Sequence, residues 1–199
     1  MRSLPRPLQQ LKHVIISSLT ELFGSNRNAT HPRGINTREM IHLKPTSMFK
    51  SILVLCEGNH CRSPIGEALF RVALPPEVKV ESAGFNALEG FQAHPVVMRI
   101  LADHGIDVSG HRGRKLTQPM ALSADLILVM DEQQKELCSR LVPGARGRIF
   151  LLGHWLSSPP PSISDPLNQG DGAFRSAFEI IQRSVASWLP HVTINQRLA

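Results

Sequence analysis

A cysteine and an arginine can transfer a phosphoryl group if a loop folds both around one phosphate. The run Cys56-Glu57-Gly58-Asn59-His60-Cys61-Arg62-Ser63-Pro64 supplies such a pair in Cys56 and Arg62. A thiolate attacks phosphorus, and a guanidinium grips two phosphate oxygens in a bidentate fork. Ser63 adds a hydroxyl beside the sulfur. Gly58 and Asn59 are residue types that tolerate positive φ where the loop must turn its amides inward. Spacing by itself is weak evidence, because short motifs recur by chance.

The flanking elements are more restrictive. Residues 51–55, Ser-Ile-Leu-Val-Leu, read as a buried strand, and 65–71 read as the opening of a helix with Pro64 in its first turn. A strand, a tight loop and a helix N-terminus make an anion site, because backbone N–H groups and the helix dipole converge there. Further along, the pattern predicts helices near 64–73, 95–104, 132–141 and 173–189. Strands are predicted near 78–82, 125–130 and 148–152, the 125–130 run almost continuously apolar, as in a parallel strand covered on both faces. This alternation predicts an α/β domain with a four-stranded parallel sheet flanked by helices on both faces. In such sheets ligands bind at the carboxyl ends of strands, where the Cys56 loop falls.

The chain has 199 residues and a net charge of +6, which invites a nucleic-acid reading. The charge is unevenly placed. Residues 1–47 hold seven Lys/Arg and two acids, whereas 48–199 hold fifteen basic and fourteen acidic residues. The folded part is therefore nearly neutral, and no nucleic-acid surface is expected on it. Three cysteines, two of them five residues apart, do not form a secreted disulfide framework, and the thiol chemistry needs a reducing compartment. No apolar run has the length of a transmembrane segment. A cytoplasmic location is expected.

The sequence divides into a basic extension, 1–47, and a domain, 48–199. Leu8, Leu11, Ile15, Leu19 and Leu22 recur at helical spacing over 7–23, and 24–47 reads as linker. Three explanations stand: an amphipathic helix making peripheral membrane or partner contact, a helix docked on the domain, or a mis-assigned start ahead of Met48.

The Cys56 loop resembles the phosphate-binding loop of the low molecular weight protein tyrosine phosphatases, Cys-x-Gly-Asn-x-Cys-Arg-Ser-Pro. Further landmarks follow in order: Val80-Glu81-Ser82-Ala83-Gly84, Gly105-Ile106-Asp107, Val129-Met130-Asp131 and Asp165-Pro166. The stretch Gly147 to Trp155 resembles the bacterial branch encoded with capsule and exopolysaccharide export systems. The resemblance implies a phosphatase acting on phosphotyrosine through a phosphocysteine intermediate, with a tyrosine autokinase of polysaccharide export as partner. No metal or other cofactor is implied.

Cys56 is then the expected nucleophile and Arg62 the phosphate clamp, with Glu57, Gly58, Asn59, His60, Cys61 and Ser63 forming the phosphate-binding loop. Ser63 would help the cysteine leave as a thiolate. The resemblance implies that Asn59 and Ser82 hold the loop's shape and that Asp165 is the general acid. On spacing alone, Asp165-Pro166 is an ordinary turn initiator. A reversible Cys56–Cys61 disulfide is one reading of the paired cysteines, and a buried structural thiol at Cys61 is the other. Cys138 reads as helix packing, and His94, His104, His111 and His154 lack metal-ligand spacing.

Leu167 departs from the pattern. The family usually places an aromatic residue there to line the substrate slot, and this chain contains no tyrosine at all. Two other functions remain at this point: an arsenate reductase on the same fold and a non-catalytic phosphate-binding regulator. The first needs a downstream cysteine pair, and only Cys138 lies downstream.

Overall fold

The computed structural model describes residues 46–157 and 161–194. The helix expected over 7–23 and the linker up to residue 45 lie outside the described residues. The strands are β1 (Thr46–Ser47), β2 (Ser51–Cys56), β3 (Lys79–Gly84), β4 (Leu126–Val129), β5 (Ile149–Leu151) and β6 (Thr193–Ile194). The helices are α1 (Arg62–Ala73), α2 (Pro95–Asp103), α3 (Gln118–Ser123), α4 (Glu132–Leu141) and α5 (Asp171–Val192), with a 3₁₀ turn at Pro143–Arg148.

Strand β2 is buried on both sides, and its two-residue side-chain period sorts its residues between two cores. Ile52, Val54 and Cys56 join Ile65, Leu69 and Phe70 of α1 and Ile181 and Val185 of α5. Leu53 and Leu55 face Ala121, Cys138, Val142 and Ala145 on the other side. Each fully buried Leu or Ile contributes about 1.5–3 kcal/mol. Neither face tolerates a polar residue, so the strand reads as an unbroken apolar run.

The sheet order is β3-β2-β4-β5, all parallel. In register, Cys56 lies opposite Gly84, so the end of β3 supports the loop that follows β2. Asp125 anchors the other end of β2: its Oδ2 accepts from the amides of Lys50 at 2.8 Å and Ser51 at 2.9 Å.

Several expectations needed adjustment. Helix α1 begins at Arg62, two residues before the expected 64, because Pro64 needs no N–H in the first turn. Helix α5 runs three residues past 189, through Pro190; so near the end, proline removes only a terminal bond. Helix α3 and the 3₁₀ turn carry too few residues for a periodic signal. The β1–β6 pair was also unforeseen: Thr46 lies opposite Ile194, and the Met48 amide donates to Val192 O at 3.0 Å. The last two residues assigned to the extension are thus hydrogen-bonded to the end of the domain.

Candidate active site

Local sequence explains the loop after β2. Asn59 adopts φ 51°, in the left-handed region that asparagine tolerates, and its side chain is fully buried. Its Nδ2 donates to Ser63 Oγ at 2.9 Å and to Ser82 Oγ at 2.8 Å, while its Oδ1 accepts from the Arg114 amide at 2.9 Å. One side chain therefore joins the loop to α1, β3 and the 106–115 segment. Gly58 does not take positive φ; a Cβ there would meet the His60 ring at 2.5 Å, and the glycine makes room for it. Gly84 is equally constrained, since a Cβ would lie 2.6 Å from Glu57 O and 2.8 Å from the Asn59 amide.

Cys56 is buried at the strand end, with its Sγ 3.0 Å from Ser63 Oγ. Because Ser63 Oγ already accepts from Asn59, its hydrogen is left for Sγ or for Ala83 O at 3.5 Å. Arg62, only 4% exposed, opens α1. Its Nη1 donates to Ile163 O at 2.9 Å and its Nη2 to Asp165 Oδ2 at 2.5 Å. Among the described residues its buried Nε has no partner, an arrangement that suits an anion's oxygen. Asp165 is 40% exposed and turns the chain through its Oδ1, which accepts from the Leu167 amide at 3.2 Å. The geometry thus brings Cys56, Arg62, Ser63 and Asp165 to one place.

The remaining predicted residues lie around it. Glu57 is exposed, its Oε1 accepting from Asn86 Nδ2 at 2.5 Å. His60 is half-buried, with Nδ1 3.3 Å from Gly58 O, and Leu167 is exposed just beyond Asp165. Cys61 is buried, and burial first, then the charges of Asp165 and Cys56, push its thiol up to about 12 against an opposing pull from Arg62.

The sequence of phosphotyrosine protein phosphatases of low molecular weight provides a family profile that matches residues 51–198. The chain belongs to that family. It is a protein tyrosine phosphatase, a phosphoric monoester hydrolase. The probable low molecular weight protein-tyrosine-phosphatase EpsP of Ralstonia nicotianae is 45% identical over 145 residues, covering 73% of this chain and 97% of that protein. Etp of Escherichia coli K12, a low molecular weight protein-tyrosine-phosphatase, is 41% identical over 140 residues, covering 70% and 93%. Among solved structures, Vibrio vulnificus Wzb in complex with benzylphosphonate superposes with a TM-score of 0.68 at 34% identity, covering 72% of this chain and 99% of that one. The YwlE arginine phosphatase from Geobacillus stearothermophilus shares the fold with a TM-score of 0.67 at 29% identity, covering 71% and 92%.

Sequence reasoning named Asn59 and Ser82 as supports of the loop but missed Glu67, Arg71 and His111 behind it. Ser82 donates to the buried carboxylate of Glu67, which also pairs with Arg71 at 2.7 Å. His111 Nε2 lies 2.8 Å from Asn59 O and Nδ1 lies 4.0 Å from Glu67 Oε2. A cavity of about 500 Å³ lies against Glu67 and His111, behind the loop rather than over the sulfur. One signal was available: Glu67 follows Ser63 by four residues, on the same face of a helix opening at an anion site.

Proposed function

We propose that Cys56, Arg62 and Asp165 carry the hydrolysis of phosphotyrosine in proteins. One observation supports this reading above the others: the Asp165 carboxylate lies 2.5 Å from the guanidinium of the loop that holds the candidate nucleophile. Arg62 and the loop amides take the phosphate oxygens, where charge stabilisation dominates phosphoryl transfer. The Cys56 thiolate attacks phosphorus in line, the phosphorus–oxygen bond breaks, and Asp165 gives its proton to the departing phenolate. This leaves phosphocysteine and splits one hard displacement into two easier ones. Water then attacks phosphorus and Asp165 takes its proton. As the phosphorus–sulfur bond breaks, the Ser63 hydroxyl donates to the emerging thiolate across the 3.0 Å contact.

Asn59 and Ser82 keep the loop in shape, and Glu57, His60 and Leu167 lie at its rim. Leu167 supplies an apolar wall without ring stacking, so affinity for an aryl group is lower on that side. In this reading the domain acts in the cytoplasm on a tyrosine autokinase of exopolysaccharide or capsule export, with residues 1–47 as a basic N-terminal extension. The bacterial-type stretch ending in His154-Trp155 supports that role. No described helix is long and apolar enough to cross a membrane.

The test is the initial rate of p-nitrophenyl phosphate hydrolysis against pH for the wild type, Cys56→Ser and Asp165→Asn. The reading requires a bell-shaped profile, abolished by Cys56→Ser and strongly reduced by Asp165→Asn. Loss in the cysteine variant alone would remove Asp165 as the acid. A wild type that binds phosphate without turnover would be a phosphate-binding regulator, and thiol-dependent arsenate reduction would mark the arsenate reductase.

A further inference from the structure

A cleft of about 410 Å³ runs away from the reaction centre between the Asp165 loop and α4. Glu57, Arg62 and Asp165 border its inner end, and Gln133, Leu137 and Arg140 line its wall on α4. The last three are spaced i, i+4, i+7, so they form one stripe along the helix. At 1.5 Å per residue the stripe carries the cleft about 10 Å from Gln133 to Arg140. An extended peptide covers that length in roughly three residues.

Charge along the cleft is graded. Its inner end holds the acid Glu57, together with the Asp131 carboxylate, whose Oδ1 caps α4 through the Gln134 amide at 2.8 Å. Its outer end holds the guanidinium of Arg140, 64% exposed. Arg140 meets Glu136 at 3.4 Å across two exposed side chains, a pairing that water and salt weaken and that an incoming carboxylate can displace.

We infer that this cleft holds the substrate chain beside the phosphotyrosine and that Arg140 selects an acidic side chain about three residues away. An acid next to the phosphotyrosine gains nothing, because Glu57 and Asp131 repel it there. The inference rests on the phosphatase reading above and adds a specificity determinant to it.

The experiment measures kcat and KM for phosphotyrosine peptides bearing one Glu at −3, −1, +1 or +3 in an otherwise uncharged sequence. Wild type, Arg140→Glu and Glu136→Gln are compared, with p-nitrophenyl phosphate as a substrate too small to reach the stripe. For the wild type, Glu at one of the two outer positions is expected to raise kcat/KM about two- to fivefold through KM, the effect of one exposed charge pair. Arg140→Glu reverses that preference, Glu136→Gln strengthens it, and both leave p-nitrophenyl phosphate turnover unchanged. The inference is overturned if the peptide ranking survives Arg140→Glu, or if adjacent acids are favoured as much as distant ones. Absent p-nitrophenyl phosphate turnover by the wild type would instead overturn the phosphatase reading beneath it.

Discussion

The side chains of Arg62 and Asp165 meet at 2.5 Å although 103 residues separate them. Arg62 is held from below by Ile163 O, so the segment that delivers the carboxylate also fixes the guanidinium. A phosphate using Arg62 Nη2 must share it with Asp165 or displace the carboxylate toward the leaving oxygen.

That competition makes Asp165→Asn move two quantities in opposite directions. With Asp165 as the proposed acid, its loss is expected to lower kcat for p-nitrophenyl phosphate by about 10²–10⁴-fold. Losing the negative charge tightens inhibition by inorganic phosphate. Steady-state inhibition at pH 6–7 reads both, and weaker phosphate binding in the variant would contradict the shared use of Arg62.

Gly84 supports the loop from β3. In Gly84→Ala the new methyl would lie 2.6 Å and 2.8 Å from backbone atoms of Glu57 and Asn59, so the loop itself must move. A displacement near 1 Å at a reaction centre costs about 10²-fold in rate. We expect kcat/KM to fall by that order while circular dichroism at 20 °C stays that of a folded protein.

Asn59 combines backbone and side-chain demands that two variants separate. Asn59→Ala loses three side-chain hydrogen bonds and keeps φ 51°, for a destabilisation of about 3–5 kcal/mol. Asn59→Gly relieves the backbone alone and recovers about 1 kcal/mol. Urea denaturation of the three proteins decides; equal stability of the two variants would rule out the backbone contribution.

Cys61 is held as a thiol chiefly by burial, up to about 12, and Cys138 by burial, up to about 11. Neither should react with iodoacetamide between pH 7 and 8 in the folded protein, as mass spectrometry of the labelled peptides would show. For Cys61 the raised value means stability that is fully present below the ordinary 9.0 and lost as pH rises toward 12. As the partner in a Cys56–Cys61 disulfide, Cys61 would attack a Cys56 sulfenic acid and release water. Its small thiolate fraction makes that step slow. Dithiothreitol should then restore activity after a brief peroxide pulse only in part, and less in Cys61→Ser.

His94 caps α2 as a neutral imidazole, its Nδ1 accepting from the Val96 amide at 3.3 Å while the ring stacks on Phe174 at 4.5 Å. Burial first, then the nearby His60, lower its pKa. The stability it contributes is present above the ordinary 6.5 and lost as pH falls below it. Melting temperature should therefore drop more between pH 7.5 and 5 in wild type than in His94→Asn, which keeps a capping side chain without titrating there. Identical drops would assign the pH dependence elsewhere.

The sequence by itself determined what depends on neighbours in the chain. The candidate phosphate loop is nine consecutive residues between a strand and a helix, so residue types and order are enough to single it out. The parallel sheet was legible because continuous apolar runs alternated with helical periods. Asp165 was different. An Asp-Pro turn has the same local chemistry on any surface, and only the long return from β5 to α5 brings its carboxylate onto Arg62. Glu67, Ser82, Asn59 and Arg114 likewise carry no local sign of one another. They meet because the register of β2 on β3 sets Cys56 against Gly84 and α1 packs back across both strands. Side-chain partners far apart in sequence are chosen by how layers stack, and stacking exists only once the chain has folded.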